Sequence, residues 1–85
     1  MSEWAWEYFP DAHEVIGDTP NLALIAQIEE RADELVRAAA VEYPDGTAYQ
    51  GHSPGQREEI VPNGMFEYLT IVRHERIYIT QITGY

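Results

Sequence analysis

Residues 65–85 read MFEYLTIVRHERIYITQITGY, two β-rich runs on either side of the polar turn Arg73-His74-Glu75-Arg76. Aromatic and β-branched side chains dominate both runs, so each predicts a strand, Met65–Val72 and Ile77–Thr83. Just upstream, Arg57–Val61 reads as a further strand, and Asn63-Gly64 is the dipeptide that best supplies the two positive φ angles of a type I′ hairpin turn. The chain therefore closes on a three-strand antiparallel meander.

Register decides which side chains share a face. A two-residue turn at Asn63-Gly64 pairs Pro62 with Met65, and sets Val61 opposite Phe66, Glu59 opposite Tyr68 and Arg57 opposite Thr70. With Val72 opposite Ile77, one face carries Arg57, Glu59, Val61, Phe66, Tyr68, Thr70, Val72, Ile77, Ile79, Gln81 and Thr83, and Tyr85 continues that parity. The other face carries Ile60, Leu69, Ile71, Tyr78 and Ile82. The aliphatic members of this second set predict the bed for a helix, which leaves the first face open.

The amino-terminal half supplies that helix. Glu3–Phe9 alternates polar and apolar residues, a strand with Trp4, Trp6 and Tyr8 on one face. Pro10 ends it, and Asp11–Ile16 reads as a short helical turn with Pro10 at its first position and Gly17 at its exit. Thr19 then caps a long helix with Pro20 at its first position. In that helix Leu22, Ile25, Ile28, Ala32, Leu35, Val36 and Ala39 recur at spacings of three and four and form the core stripe. Glu29, Glu30, Asp33, Glu34 and Arg37 take the solvated side, Asp33 and Arg37 as an i,i+4 pair. The helix ends near Tyr43, and Tyr43–Gln56, with two prolines and three glycines, reads as a long loop. The expected fold is α+β: strand, helix, helix and a three-strand antiparallel meander, one domain over residues 1–85, with the helices on one face of the sheet.

Composition narrows function. The chain has 15 acidic residues against 5 basic ones, all arginine, for a net charge of −10. Such a field repels nucleic acid at long range and favours a basic protein partner. No cysteine is present, which removes disulfides and thiolate metal sites and fits a cytoplasmic location. No apolar run approaches the roughly 20 residues of a membrane span. His13, His52 and His74 follow no metal-ligand spacing, and no glycine-rich phosphate loop occurs, so neither metal nor cofactor is expected.

On the expected open face, Phe66, Tyr68 and Tyr85 offer rings for stacking on unpaired bases, beside the cation of Arg57. Ordinary strand propensity accounts for the same rings. The order of elements, with the strand ending before Gly64, the run MFEYLTIV, the polar turn at Arg73–Glu75 and the run RIYITQITG, resembles the RelE/ParE family of bacterial toxins.

The resemblance implies a cytoplasmic toxin of a bacterial type II toxin–antitoxin module, neutralised by a cognate antitoxin. One branch cuts messenger RNA on the ribosome, and the other poisons DNA gyrase. Cleavage by attack of a ribose 2′-hydroxyl needs a base, cations and an acid. Carried over by position, Arg57 keeps a cation, Glu59 stands where that branch has a lysine, and Phe66 stands where it has an arginine. Tyr85 matches a terminal tyrosine of one sub-branch, although the histidine preceding it there is Gly84 here. The catalytic set expected from the resemblance is thus Arg57, Glu59 and Tyr85, with Phe66, Tyr68, Arg73 and Arg76 as substrate-binding residues. It is a depleted set, for a weak or inactive endoribonuclease. The alternatives are a gyrase inhibitor or a non-catalytic acidic interaction module on the same fold, and a homodimer stays open.

Overall fold

The computed structural model describes residues 3–18 and 21–85. Its elements are β1 (Ala5–Tyr8), α1 (Ala12–Ile16), α2 (Leu22–Glu42), β2 (Gln56–Val61), β3 (Gly64–Ile71) and β4 (Arg76–Gly84), with 3-10 turns at Gly46–Ala48 and Val72–His74. The expected α+β order is present. The strands form one mixed sheet in the order β1-β4-β3-β2, with β1 parallel to β4 and β2-β3-β4 an antiparallel meander.

Local chemistry explains the helix ends. Asp11, not Pro10, opens α1: its Oδ1 accepts from Glu14 N at 2.9 Å. Gly17 closes it at a positive φ of 59°, which glycine adopts at little cost. Asn21 caps α2, its Oδ1 accepting from Leu24 N at 3.0 Å. The expected cap Thr19 and helical Pro20 lie outside the described residues. Along α2 the buried positions are Leu24, Ile28, Ala32 and Ala39, flanked by half-buried Leu35 and Val36. Leu22, expected in the stripe, is 77% exposed, and Leu24 takes the core place.

The acids of α2 are not merely solvated, because β1 uses them. Trp6 Nε1 donates to Asp33 Oδ1 at 2.8 Å and Tyr8 OH donates to Glu29 Oε2 at 2.8 Å, while Trp4 Nε1 donates to the Tyr43 carbonyl at 3.0 Å. All three aromatics lie on one face, as the alternation indicates, each with its polar tip satisfied. Asp33 serves Trp6, and the expected Asp33–Arg37 pair is not among the ion pairs of the described residues.

The helix covers the face that the sequence pattern suggested was open. Phe66, Tyr68, Val72, Ile77 and Ile79 are buried together with Leu24, Ile28 and Ala32. Ile60, expected under the helix, is 67% exposed. Charge gives the reason: Glu58 and Glu67 alternate with Ile60 and Leu69, so turning that face inward buries two carboxylates. The face of Phe66 carries no charge on β3.

Register also departs from expectation. Val61 pairs with Gly64 and Arg57 with Tyr68, so the connecting residues are Pro62-Asn63. Neither Asn63 nor Gly64 has a positive φ, and no type I′ turn forms. Pro62 suits the first central position of an ordinary turn. Gly64 serves another purpose, since a Cβ there would lie 2.3 Å from the Thr83 carbonyl oxygen and 2.9 Å from Leu24 Cδ1. Between β3 and β4 a bulge at Glu67/Tyr68 shifts the register, so that Tyr68 faces Ile79 but Phe66 faces Ile82. That extra residue turns Ile82 toward the core and moves Gln81 and Thr83 to the opposite parity.

The long loop is pinned rather than free. Buried Glu75, at φ 51°, accepts from Glu3 N through Oε1 and from Gly46 N through Oε2, both at 3.1 Å. Ser53 Oγ accepts from Val72 N at 3.0 Å, and the Tyr49 carbonyl accepts from Arg73 Nε at 3.1 Å.

Candidate functional site

Arg57, Glu59, Phe66 and Tyr68 do share a face, as the strand parity requires. Because α2 lies on that face, their accessibility differs sharply. Phe66 is 0% exposed, its ring centroid 5.8 Å from that of Tyr68, and it cannot stack on a base. Tyr68 is buried to 7% exposure. Burial, with the Glu59 carboxylate second, holds its phenol above the ordinary range, and nearby Arg57 partly offsets both.

Glu59 turns toward the helix. Its Oε1 lies 3.2 Å from Arg31 Nε, while Arg31 also reaches Glu34 Oε2 at 2.9 Å. The carboxylate expected in the catalytic set is thus engaged by Arg31. Arg57 is exposed and makes no ion pair among the described residues. It borders a cleft of about 180 Å³ between the end of α2 and the loop, lined also by Ala39, Glu42, Tyr43, Pro54 and Tyr68.

Tyr85 is elsewhere. Gly84 pairs with Gly64, and Tyr85 N donates to the Asn63 carbonyl at 3.0 Å, while Arg57 pairs with Tyr68. Five β3-strand steps separate those levels, roughly 17 Å at the usual rise per residue. The bulge in addition gives Tyr85 the parity of Thr83, opposite to Phe66, and the ring is 76% exposed. The expectation that positions 57, 59, 66 and 85 gather on one bare surface is therefore corrected: one is sealed, one is engaged, and one stands at the far end.

Arg73 and Arg76 hold the fold. Arg73 is bonded to the loop at Tyr49, and Arg76 donates to the Glu3 carbonyl at 2.8 Å and lies 3.6 Å from Glu7 Oε2. Among the described residues, no three His, Asp or Glu side chains group closely enough to hold a metal ion. No described helix is long and apolar enough to cross a membrane.

The surface the sequence pattern assigned to the helix is the uncovered one. On it Phe9, Leu69, Ile71, His74, Tyr78 and Thr80 line an almost wholly apolar hollow of about 240 Å³. Phe9 is 55% exposed and meets Tyr78 edge-on, ring centroids 5.5 Å apart. His74 Nδ1 lies 3.1 Å from Tyr78 OH at its rim. Glu58 and Glu67 face each other across β2 and β3 on the same surface. The signal for this surface was present in the sequence as the alternation of those two glutamates with aliphatic residues.

No known protein family, curated protein or solved structure matches the chain.

Proposed function

We propose that the chain is a RelE/ParE-like toxin-fold protein of a bacterial toxin–antitoxin module that acts by holding a basic protein partner and does not cut RNA. The observation that carries this reading is the dispersal of the expected site: of the catalytic set, Glu59 lies against Arg31 and Tyr85 at the far end of β4, while Phe66 of the substrate-binding set is sealed beneath α2. A single exposed cation at Arg57 leaves phosphoryl-transfer charge with little to stabilise it, and removal of even one such group typically costs factors of about 100 to 1000. The order β-α-α followed by a three-strand meander supports the RelE/ParE-like part of the reading. The net charge of −10 supports a basic partner, such as a cognate antitoxin or a basic region of gyrase, over the ribosome or its messenger RNA.

The test is primer extension on messenger RNA from translating ribosomes incubated with the purified chain. No new stops are expected. Cleavage that disappears in Arg57→Ala would overturn the non-catalytic reading. Induction in bacteria, with and without the neighbouring gene, addresses the toxin–antitoxin part: growth arrest relieved by the neighbour supports it, and harmless expression counts against it.

A further inference from the structure

We infer that the uncovered sheet face is the docking surface for a basic amphipathic peptide segment of a partner protein. Its large apolar side chain fills the hollow beside Phe9 and Tyr78, and its cation lies between Glu58 and Glu67. This rests on the reading of the chain as an interaction domain and specifies where and what it binds.

Two independent features select this occupant. The first is an apolar hollow on the uncovered face, walled by Leu69, Ile71 and Tyr78 and by Phe9, which is 55% exposed. Grouped apolar exposure of this kind marks interaction sites, whereas scattered residues do not. The second is charge. Glu58 and Glu67 are direct cross-strand partners, and neither forms an ion pair among the described residues. Like charges in that position work against the sheet, and a cation placed between them removes the repulsion. The only arginine beside this face on β4, Arg76, is already engaged with Glu7.

The same charges argue against other occupants. A second copy would bring another −10 onto the acidic pair, and a nucleic acid would bring phosphates. A segment that alternates cations with large apolar side chains meets both demands at once. Its attraction is electrostatic over distance and apolar on contact, so the affinity must fall with salt without vanishing.

The experiment is an amide-resolved NMR titration of the full chain with a short synthetic peptide alternating Arg and Leu, beside control peptides alternating Glu and Leu or Arg and Ser. Shifts are expected at Met65, Glu67, Leu69, Ile71 and Tyr78 with the first peptide, and weaker or no binding with the controls. Combined Glu58→Gln and Glu67→Gln should weaken binding about tenfold, while raising the urea midpoint. Leu69→Ser should weaken it comparably, and the glutamine pair keeps the test decisive if that variant unfolds. Combined Glu30→Gln and Glu34→Gln on α2 should leave binding unchanged. Shifts on α2 or in the Arg57 cleft, or equal losses from both glutamine pairs, would overturn the docking surface while the interaction-domain reading stands. Absence of any binding by the Arg-Leu peptide would count against both. Self-association of the chain alone that Leu69→Ser abolishes would replace the partner with a second copy.

Discussion

Leu24 rests on Gly64: a Cβ at position 64 would lie 2.9 Å from Leu24 Cδ1 and 2.3 Å from the Thr83 carbonyl oxygen. Here α2 meets the end of the meander at its closest, and the absent side chain is what permits the approach. Gly64→Ala should therefore destabilise by about 1–3 kcal/mol through forced displacement. Gly55→Ala, where nothing lies within 4 Å of the added carbon, should be neutral or stabilise by up to about 1 kcal/mol. Urea denaturation of the pair measures both.

Phe66 and Ile60 should exchange the roles their sequence context suggests. Phe66→Ala empties a fully buried site and should cost about 3–5 kcal/mol, a large share of the stability of a domain of this size. Ile60→Ala removes an exposed side chain and should stay within about 0.5 kcal/mol. Thermal melts of the two variants distinguish a helix on the Phe66 face from a helix on the Ile60 face.

Glu75 is a clamp in a turn that reads as merely polar. Its two carboxylate oxygens satisfy Glu3 N and Gly46 N, joining the chain's beginning and its loop to the β3–β4 connection. Glu75→Ala leaves both donors without this partner and should cost roughly 2–3 kcal/mol. Glu75→Gln, which retains one acceptor, should lose less. Hydrogen exchange at Glu3 and Gly46 should accelerate in the alanine variant ahead of the sheet core.

Alkaline pH should loosen the β1–α2 contact. Burial first, then the hydrogen bond to Glu29 and its charge, raise the Tyr8 phenol well above its ordinary value of 10.0. Unfolding returns it to that value, so above about pH 10 the unfolded chain releases a proton that the folded chain retains. Stability is therefore fully present below pH 10 and declines as pH rises beyond it. Tyr8→Phe should flatten that decline in urea midpoints measured from pH 8 to 11.

Much of the fold was legible. Alternation gave β1, the β-branched and aromatic runs gave the strands of the meander although its first turn differs from the expected one, and the three-four spacing gave α2 nearly to its ends. The choice of sheet face was not, because β3 is apolar on both sides: Phe66, Tyr68 and Thr70 against Met65, Leu69 and Ile71. Weight of aliphatic residues favours the second set, but Glu67 and Glu58 interrupt it, and the penalty for burying them outweighs a few methylenes. The bulge between Glu67 and Tyr68 carries no local sequence mark, yet it alone decides the parity of Ile82 and Tyr85. The candidate site failed for that reason and for one more, since Arg31 lies far in sequence from the Glu59 it engages.

Which face is bare can be read directly, since the chain contains no native cysteine. Leu69→Cys and Thr70→Cys place single thiols on neighbouring residues of opposite faces, Thr70 being only 7% exposed. The measurement is the rate of thiol labelling under native conditions, relative to the same variant in urea. The thiol at 69, in the half-buried wall of the hollow, should be slowed by no more than about tenfold, and that at 70 by about a hundredfold or more. Comparable rates, or protection at 69 with rapid reaction at 70, would place α2 on the other face and contradict the account.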